Sequence, residues 1–291
     1  MSSRVLAAAA LLLNAFVFGL SWWPFRSLQN QGLHPLWATS MTLGMALVCL
    51  LLLRPQAWRG LISHPQLWGL LLASGLTNVC FNWAITIGDV VRVVLLFYLM
   101  PAWVVLLAWP LLGEKPSRGS MLRLALALAG VVIILKTSAS SWPLPQNLAD
   151  WLALAGGLCF ALTNILLRKL NQTPGDGRML AMFAGGTLMA TGAALLGLSW
   201  GVVTALPTPD WSWSVLALFT GLAMLVANLA LQYGAAHLNA STTSIIMLSE
   251  VVFASVSSVL LGSGELSMRT LLGGVLIVLA SLLSVLSFRK R

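Results

Sequence analysis

The sequence predicts an all-α membrane protein, with ten transmembrane helices arranged as two inverted five-helix repeats around a central cavity. Three observations lead there. Of 291 residues, 59% are hydrophobic and only 8% are charged, whereas a soluble domain carries roughly a quarter charged residues, so this surface has to face lipid. Ten apolar stretches can be placed along the chain, each close to the roughly 20 residues that a bilayer crossing takes. Finally, GLTNVCFNWAITIG at 75–88 returns 146 positions later, half the chain length, as GLAMLVANLALQYG at 221–234. A half-length repeat in so apolar a chain points to secondary transporters built from duplicated helix bundles.

The first half, residues 1–140, holds spans at 5–23, 35–53, 67–87, 91–112 and 119–135; the second, 141–291, holds spans at 150–167, 179–200, 213–233, 240–261 and 269–288. Connections are too short for a soluble domain, so both halves form one integral membrane unit. Arg4 precedes the first run as it would in a signal peptide. That run lacks a small-residue cleavage site and is followed by nine more spans, so it reads as a retained first helix. Cys49, Cys80 and Cys159 are scattered through three spans, which supports neither a disulfide framework nor a metal site; no metal or other cofactor is expected.

The net charge of +9 is a topology signal and not a nucleic-acid signal. With both termini cytoplasmic, the inner ends and loops hold Arg4, Arg54, Arg59, Lys115, Arg118, Arg123, Arg168, Lys169, Arg178, Arg289, Lys290 and Arg291. The outer ones hold Arg26, Arg92, Lys136 and Arg269. Such an excess follows the positive-inside rule and fixes the orientation. Because each half has an odd number of spans, the second starts from the opposite side and runs inverted. Other landmarks pair across the halves: Arg26 follows FVFGLS as Arg168 follows LCFALT, and GEKPSR at 113–118 matches GELSMR at 264–269. Each Glu–Arg pair in these turns reads as a helix-start carboxylate with an (i, i+4) partner.

Two five-helix halves, an asparagine in helices 3 and 8, a short third-to-fourth connection and the GE turn after helices 4 and 9 resemble the drug/metabolite transporter superfamily. Within it, the chain is similar to the ten-helix EamA-type exporters. The resemblance spans nearly the full length and implies export of small metabolites from the bacterial cytoplasm, across the inner membrane, through a cavity between the halves. Tyr98-Leu99-Met100-Pro101 resembles the YLWP-like stretch of the family's aromatic amino acid exporters, with Met100 in place of the Trp.

Polar side chains within the spans are the candidates for function, because they are costly in lipid and turn toward a cavity or a partner helix. Asn78 and Asn82 lie four apart on one face of helix 3, and Asn228 and Gln232 repeat that spacing on helix 8, with Asn82 and Asn228 as repeat equivalents. Asn14 and Asn164 add amides to helices 1 and 6. An amide offers both donors and acceptors, which suits a zwitterion; interhelical bonding is the alternative role. Glu250, in STTSIIMLSEVVFAS, is the one carboxylate well inside a span. Matching YLMP to MLSE sets it opposite Pro101. A carboxyl in low dielectric holds its proton more firmly, which makes Glu250 a candidate for proton coupling or ammonium binding; the alternative is a carboxyl satisfied by Ser249, Ser244 or Thr243. Pro101 removes a backbone hydrogen bond from helix 4 and is the candidate hinge. Gly88 and Gly234 read as turn formers.

Trp58, Trp68, Trp142, Trp151, Trp200, Trp211 and Trp213 sit near span ends and read as interfacial anchors. Trp22, Phe81, Trp83, Tyr98 and Trp103 lie deeper; Phe81 and Tyr98 can stack on an apolar or aromatic substrate. With no Lys or Arg deep in any span, a zwitterionic or neutral substrate is favoured over an anion. The expected protein is an amino acid exporter working by alternating access, as a monomer or weak homodimer. A broader drug or metabolite carrier is the second reading and a passive channel the third. An intramembrane enzyme would need a catalytic constellation, and His34, His64 and His237 all fall at span ends.

Overall fold

The computed structural model describes residues 3–88, 90–113, 117–135, 145, 147–261 and scattered positions between 268 and 283. Every regular element among them is helical, as lipid requires of an open chain whose backbone groups must be satisfied within the segment. In order they are α1 (Ser3–Asn30), α2 (Pro35–Leu53), α3 (Ala57–Ser63), α4 (Leu67–Ile87), α5 (Val90–Phe97), α6 (Met100–Leu112), α7 (Arg118–Leu135), α8 (Leu148–Lys169), α9 (Gly175–Ser199), α10 (Trp211–His237), α11 (Ala240–Met247) and α12 (Ser249–Leu260). Six of them, α1, α2, α4, α8, α9 and α10, are long and apolar enough to cross a bilayer. Their outward faces carry side chains such as Leu52 (78% exposed), Leu53 (74%), Phe219 (66%) and Leu188 (61%). A water-soluble surface does not bear so large an apolar area; this is a multi-pass membrane protein.

The sequence expectation is modified at four places. A short helix, α3, occupies the connection between α2 and α4. The spans expected at 91–112 and 240–261 are each interrupted, at Tyr98–Leu99 and at Leu248, where Leu99 and Leu248 keep right-handed helical conformation; Pro101 lies just past the first interruption. Trp213 is buried (6% exposed) and its Nε1 donates to the Thr208 carbonyl at 3.2 Å, unlike Trp58, Trp68, Trp151, Trp200 and Trp211, which are exposed. The expected tenth span at 269–288 lies, apart from the scattered positions, outside the described residues. So do Asp89, Glu114, Lys115, Lys136, Trp142, Glu265, Arg269 and residues 289–291.

Packing crosses between the halves. Helix α4 lies against α8 and α9, and α10 lies against α1 and α2, so the third helix of each half is gripped by the first two of the other. Small residues allow the close approach. A Cβ on Gly75 would stand 2.6 Å from the Gly185 carbonyl oxygen, and one on its repeat equivalent Gly221 would stand 2.5 Å from that of Thr42. Gly88 ends α4 at the bend before α5, as expected of a turn residue, and also packs closely, since a Cβ there would stand 2.7 Å from that of Ala149; Gly234 lies inside α10 and serves close packing and not a turn, with a Cβ 2.4 Å from Leu11 Cγ. The ends are tied in the same paired fashion. Arg26 donates to the Gly88 carbonyl at 2.8 Å and Arg168 to the Ala236 carbonyl at 2.8 Å, each placing positive charge at the C-terminus of the third long helix of its own half.

Candidate functional site

A part-open cavity lies where these helices converge. Helix α4 contributes Ser74, Thr77, Asn78 and Phe81; α8 contributes Phe160 and Thr163; α10 contributes Asn228 and Leu231. Phe18 of α1, Phe97 of α5, Met182 of α9 and Glu250 of α12 complete the wall. The lining is thus mostly apolar and aromatic, with a few polar groups, as small-molecule sites are. The rings form one contiguous surface: Phe81 and Phe97 have centroids 4.5 Å apart, and Phe97 stacks on Phe160 at 5.4 Å.

The two helix breaks meet beside this cavity. At the first, Pro101 has no N–H to offer the Phe97 carbonyl, so the ladder cannot run through. Gly157 of α8 approaches that carbonyl so closely that a Cβ there would stand 2.4 Å from the oxygen. At the second, Val251 N bonds to the Leu248 carbonyl at 3.1 Å, which leaves the Met247 carbonyl without its helical donor. The Tyr98 hydroxyl takes that place, donating to Met247 O at 2.8 Å, and it also contacts Glu250 Oε2. Tyr98 and Met247 are the residues matched by the repeat, so each break is in contact with the other. Glu250 is 2% exposed, and its Oε1 has no hydrogen-bond partner among the described residues. Ser249 instead donates to the Ile246 carbonyl at 2.8 Å, so the hydroxyl that meets Glu250 is that of Tyr98 and not that of a neighbour on its own helix.

Of the candidate residues, Asn78, Phe81, Asn228 and Glu250 come together at the cavity, and Tyr98 backs it through Glu250. Asn82 is buried on α4 but is not part of the lining. Gln232 sits against the start of α9, its amide placed to donate to Gly175 O at 3.2 Å and accept from Met179 N at 3.0 Å. Asn164 Nδ2 points to Met100 Sδ at 3.5 Å, and Trp22 Nε1 donates to Ser257 Oγ at 2.9 Å; both reach the second segment of a broken helix and stand outside the lining. Phe18 and Phe160 escape the sequence reading as site residues, although they hold the same place in the matched hexapeptides FVFGLS and LCFALT. Phe97, Ser74, Thr77, Thr163, Met182 and Leu231 carry no comparable signal, because their facing depends on how the helices rotate against one another.

One buried ion pair lies elsewhere. Arg92 at the start of α5 clasps Asp150 at the start of α8 through two contacts, Nε–Oδ1 and Nη2–Oδ2, both at 2.9 Å. Asp150 is 1% exposed and its backbone N–H is capped by Asn147. The bidentate geometry is the strong form of this interaction. Among the described residues, no group of three or more His, Cys, Asp or Glu converges on a metal-sized site.

An all-helical multi-pass protein with a mostly apolar internal cavity at the meeting of two broken helices belongs to the class of membrane transporters. The chain matches the EamA-like transporter family twice, over residues 5–136 and 147–286, and it belongs to that family. The family consists of transporters of the drug and metabolite type. Twenty-nine solved chains match in structure. One crystal structure superposes with a TM-score of 0.74 over 99% of this chain and 98% of its own, at 17% identity, a likeness that shows the fold alone. No curated protein matches the sequence significantly.

Proposed function

We propose that the protein exports small metabolites across the bacterial inner membrane by alternating access, with amino acids bearing apolar or aromatic side chains as the first class to test. Ten spans in two inverted repeats, divided near residue 140, form the frame, and both termini lie in the cytoplasm. The observation that carries this reading is the placement of the cavity: helices from both repeats wall it, and the two broken helices meet at its side. Transporters built from inverted repeats bind substrate near the midplane at such discontinuous helices. The break at Tyr98–Leu99, set by Pro101, and its counterpart at Leu248 are the hinges about which the half-helices tilt. Asn78, Phe81 and Asn228 contact the substrate, while Trp22, Asn82, Tyr98, Asn164 and Gln232 hold the walls, and protonation of Glu250 couples the cycle. Resemblance of Tyr98–Pro101 to the aromatic amino acid exporters supports this choice of substrate.

The test is counterflow in proteoliposomes containing the purified full chain. Saturable exchange of a labelled apolar amino acid, accelerated by unlabelled amino acid on the opposite side, is the expected result. Linear, non-saturating flux would indicate a channel, and flux unaffected by any amino acid would remove that substrate class.

A further inference from the structure

The hydrogen-bonding sense of the cavity narrows what it can hold. Thr77 and Thr163 each donate their single hydroxyl proton to their own helix, to the Ala73 carbonyl at 2.8 Å and the Cys159 carbonyl at 2.9 Å. Ser74 does the same toward the Leu71 carbonyl at 3.4 Å. Asn78 and Asn228 each spend one amide N–H on the fourth residue back, at 2.8 Å in both cases. What the polar lining presents to a ligand is therefore mainly lone pairs: three hydroxyl oxygens, two amide carbonyls and a carboxyl group. The donors left over are the second N–H groups of two asparagines. Among the described residues, no Lys, Arg or His lines the cavity.

A carboxylate buried with one free oxygen calls for a cationic partner, because an unpaired charge in low dielectric is costly. The rest of the wall suits the same partner. Phe18, Phe81, Phe97 and Phe160 line the wall with aromatic rings, a surface type that attracts an organic cation and covers an apolar body. The titratable group in contact with Glu250 is Tyr98. Arg92, the basic residue of the neighbouring α5, is held by Asp150, and α1 brings Phe18 to the wall. Among the described residues, no cation is therefore positioned to neutralise Glu250.

We propose that the cavity reads its substrate by the ammonium group, with Glu250 as counter-ion, so that its preferred substrates are organic amines on an apolar or aromatic body that carry no carboxylate. This rests on the transport reading above and deepens it: an amino acid presents the right ammonium, but its carboxylate meets a wall of acceptors. A proton on Glu250 and an ammonium in the cavity are then alternatives, which is the logic of an antiporter.

The test compares three probes that share one ring: 2-phenylethylamine, phenylalanine and 3-phenylpropionate, titrated onto the purified full chain in lipid nanodiscs. The amine should bind about tenfold or more tighter than the amino acid, the difference expected when a carboxylate must be desolvated against a mainly accepting wall, and the propionate should not bind. Acidification should weaken amine binding, and Glu250→Gln should abolish both the tight binding and its pH dependence. The three-probe series on the unaltered chain decides the matter even if that variant fails to fold. Equal or tighter binding of phenylalanine or propionate, no amine binding at all, or full amine affinity in Glu250→Gln overturns the proposal. Counterflow of amino acids that the amine does not inhibit sinks this inference and leaves the transport reading standing. Tight amine binding without counterflow of any solute does the reverse.

Discussion

Tyr98→Phe removes one hydroxyl group and leaves every carbon in place, which makes it the most discriminating perturbation of the junction between the broken helices. The hydroxyl has one proton and two acceptors, the Met247 carbonyl at 2.8 Å and Glu250 Oε2. Both contacts are full hydrogen bonds only when the carboxyl is protonated and donates to the phenol oxygen, whose own proton then goes to Met247. Interhelical side-chain bonds in membranes average about 0.6 kcal/mol, because in most cases the freed group finds another partner. Here it cannot do so easily: Val251 N, the helical donor for Met247, is already committed to Leu248 at 3.1 Å. The relevant scale is therefore that of a buried acceptor left unsatisfied, about 1–3 kcal/mol. Equilibrium unfolding in mixed micelles, run on Tyr98→Phe, Glu250→Gln and the double variant, measures it as a cycle. A loss of at least about 1 kcal/mol for Tyr98→Phe and a coupling above the roughly 0.5 kcal/mol limit of additivity are expected. A Tyr98→Phe chain as stable as the original, or strictly additive effects, would refute the account of the junction.

Two further outcomes follow from close contacts. Gly157→Ala should cost about 1–3 kcal/mol or more, since its Cβ would stand 2.4 Å from the Phe97 carbonyl oxygen, whereas Gly192→Ala, with nothing within 4 Å, should be neutral or stabilising by about 0.5–1 kcal/mol; unfolding of both variants checks the contrast. For the Arg92–Asp150 clasp, Arg92→Lys keeps the charge but loses the fork and should cost about 1 kcal/mol, while Asp150→Asn removes charge from a side chain 1% exposed and should cost about 2–4 kcal/mol; equal stabilities across the three chains would show that the pair contributes nothing.

What the sequence makes legible here is what depends on long-range averages. The spans at 5–23, 35–53, 67–87, 150–167, 179–200 and 213–233 correspond to α1, α2, α4, α8, α9 and α10, because a run of about 20 apolar residues has few other solutions. Local breaks are less legible. Pro101 announces the first, but nothing in MLSE announces the second, whose orphaned carbonyl is satisfied by a tyrosine 149 positions away. Facing is less legible still. Asn82 and Asn228 are repeat equivalents, yet only Asn228 lines the cavity; identical spacing on a helix does not say which neighbour that face will meet. Tyr98 and Glu250 are both visible as candidates on separate grounds, apolar stacking for one and a costly charge for the other. Their contact is a property of the packing between α5–α6 and α11–α12.

The departures from symmetry bear most directly on recognition. Pro101 and Glu250 occupy the same place, the second residue of the segment after the break, in α6 and α12 respectively. Both suit the start of a helix, by different physics. Proline lacks the N–H that a first turn leaves unpaired in any case, and a carboxylate is favoured by the positive end of the helix dipole. A duplicated helix can thus keep its break while exchanging a neutral residue for an acidic one. The consequence reaches the cavity. Two equivalent walls would hold an asymmetric substrate equally well in either of two opposite poses, whereas a single carboxylate on one wall selects one of them. On the proposed reading the repeat supplies the enclosure, and Glu250, which stands where the other half has Pro101, supplies the direction in which a substrate lies within it.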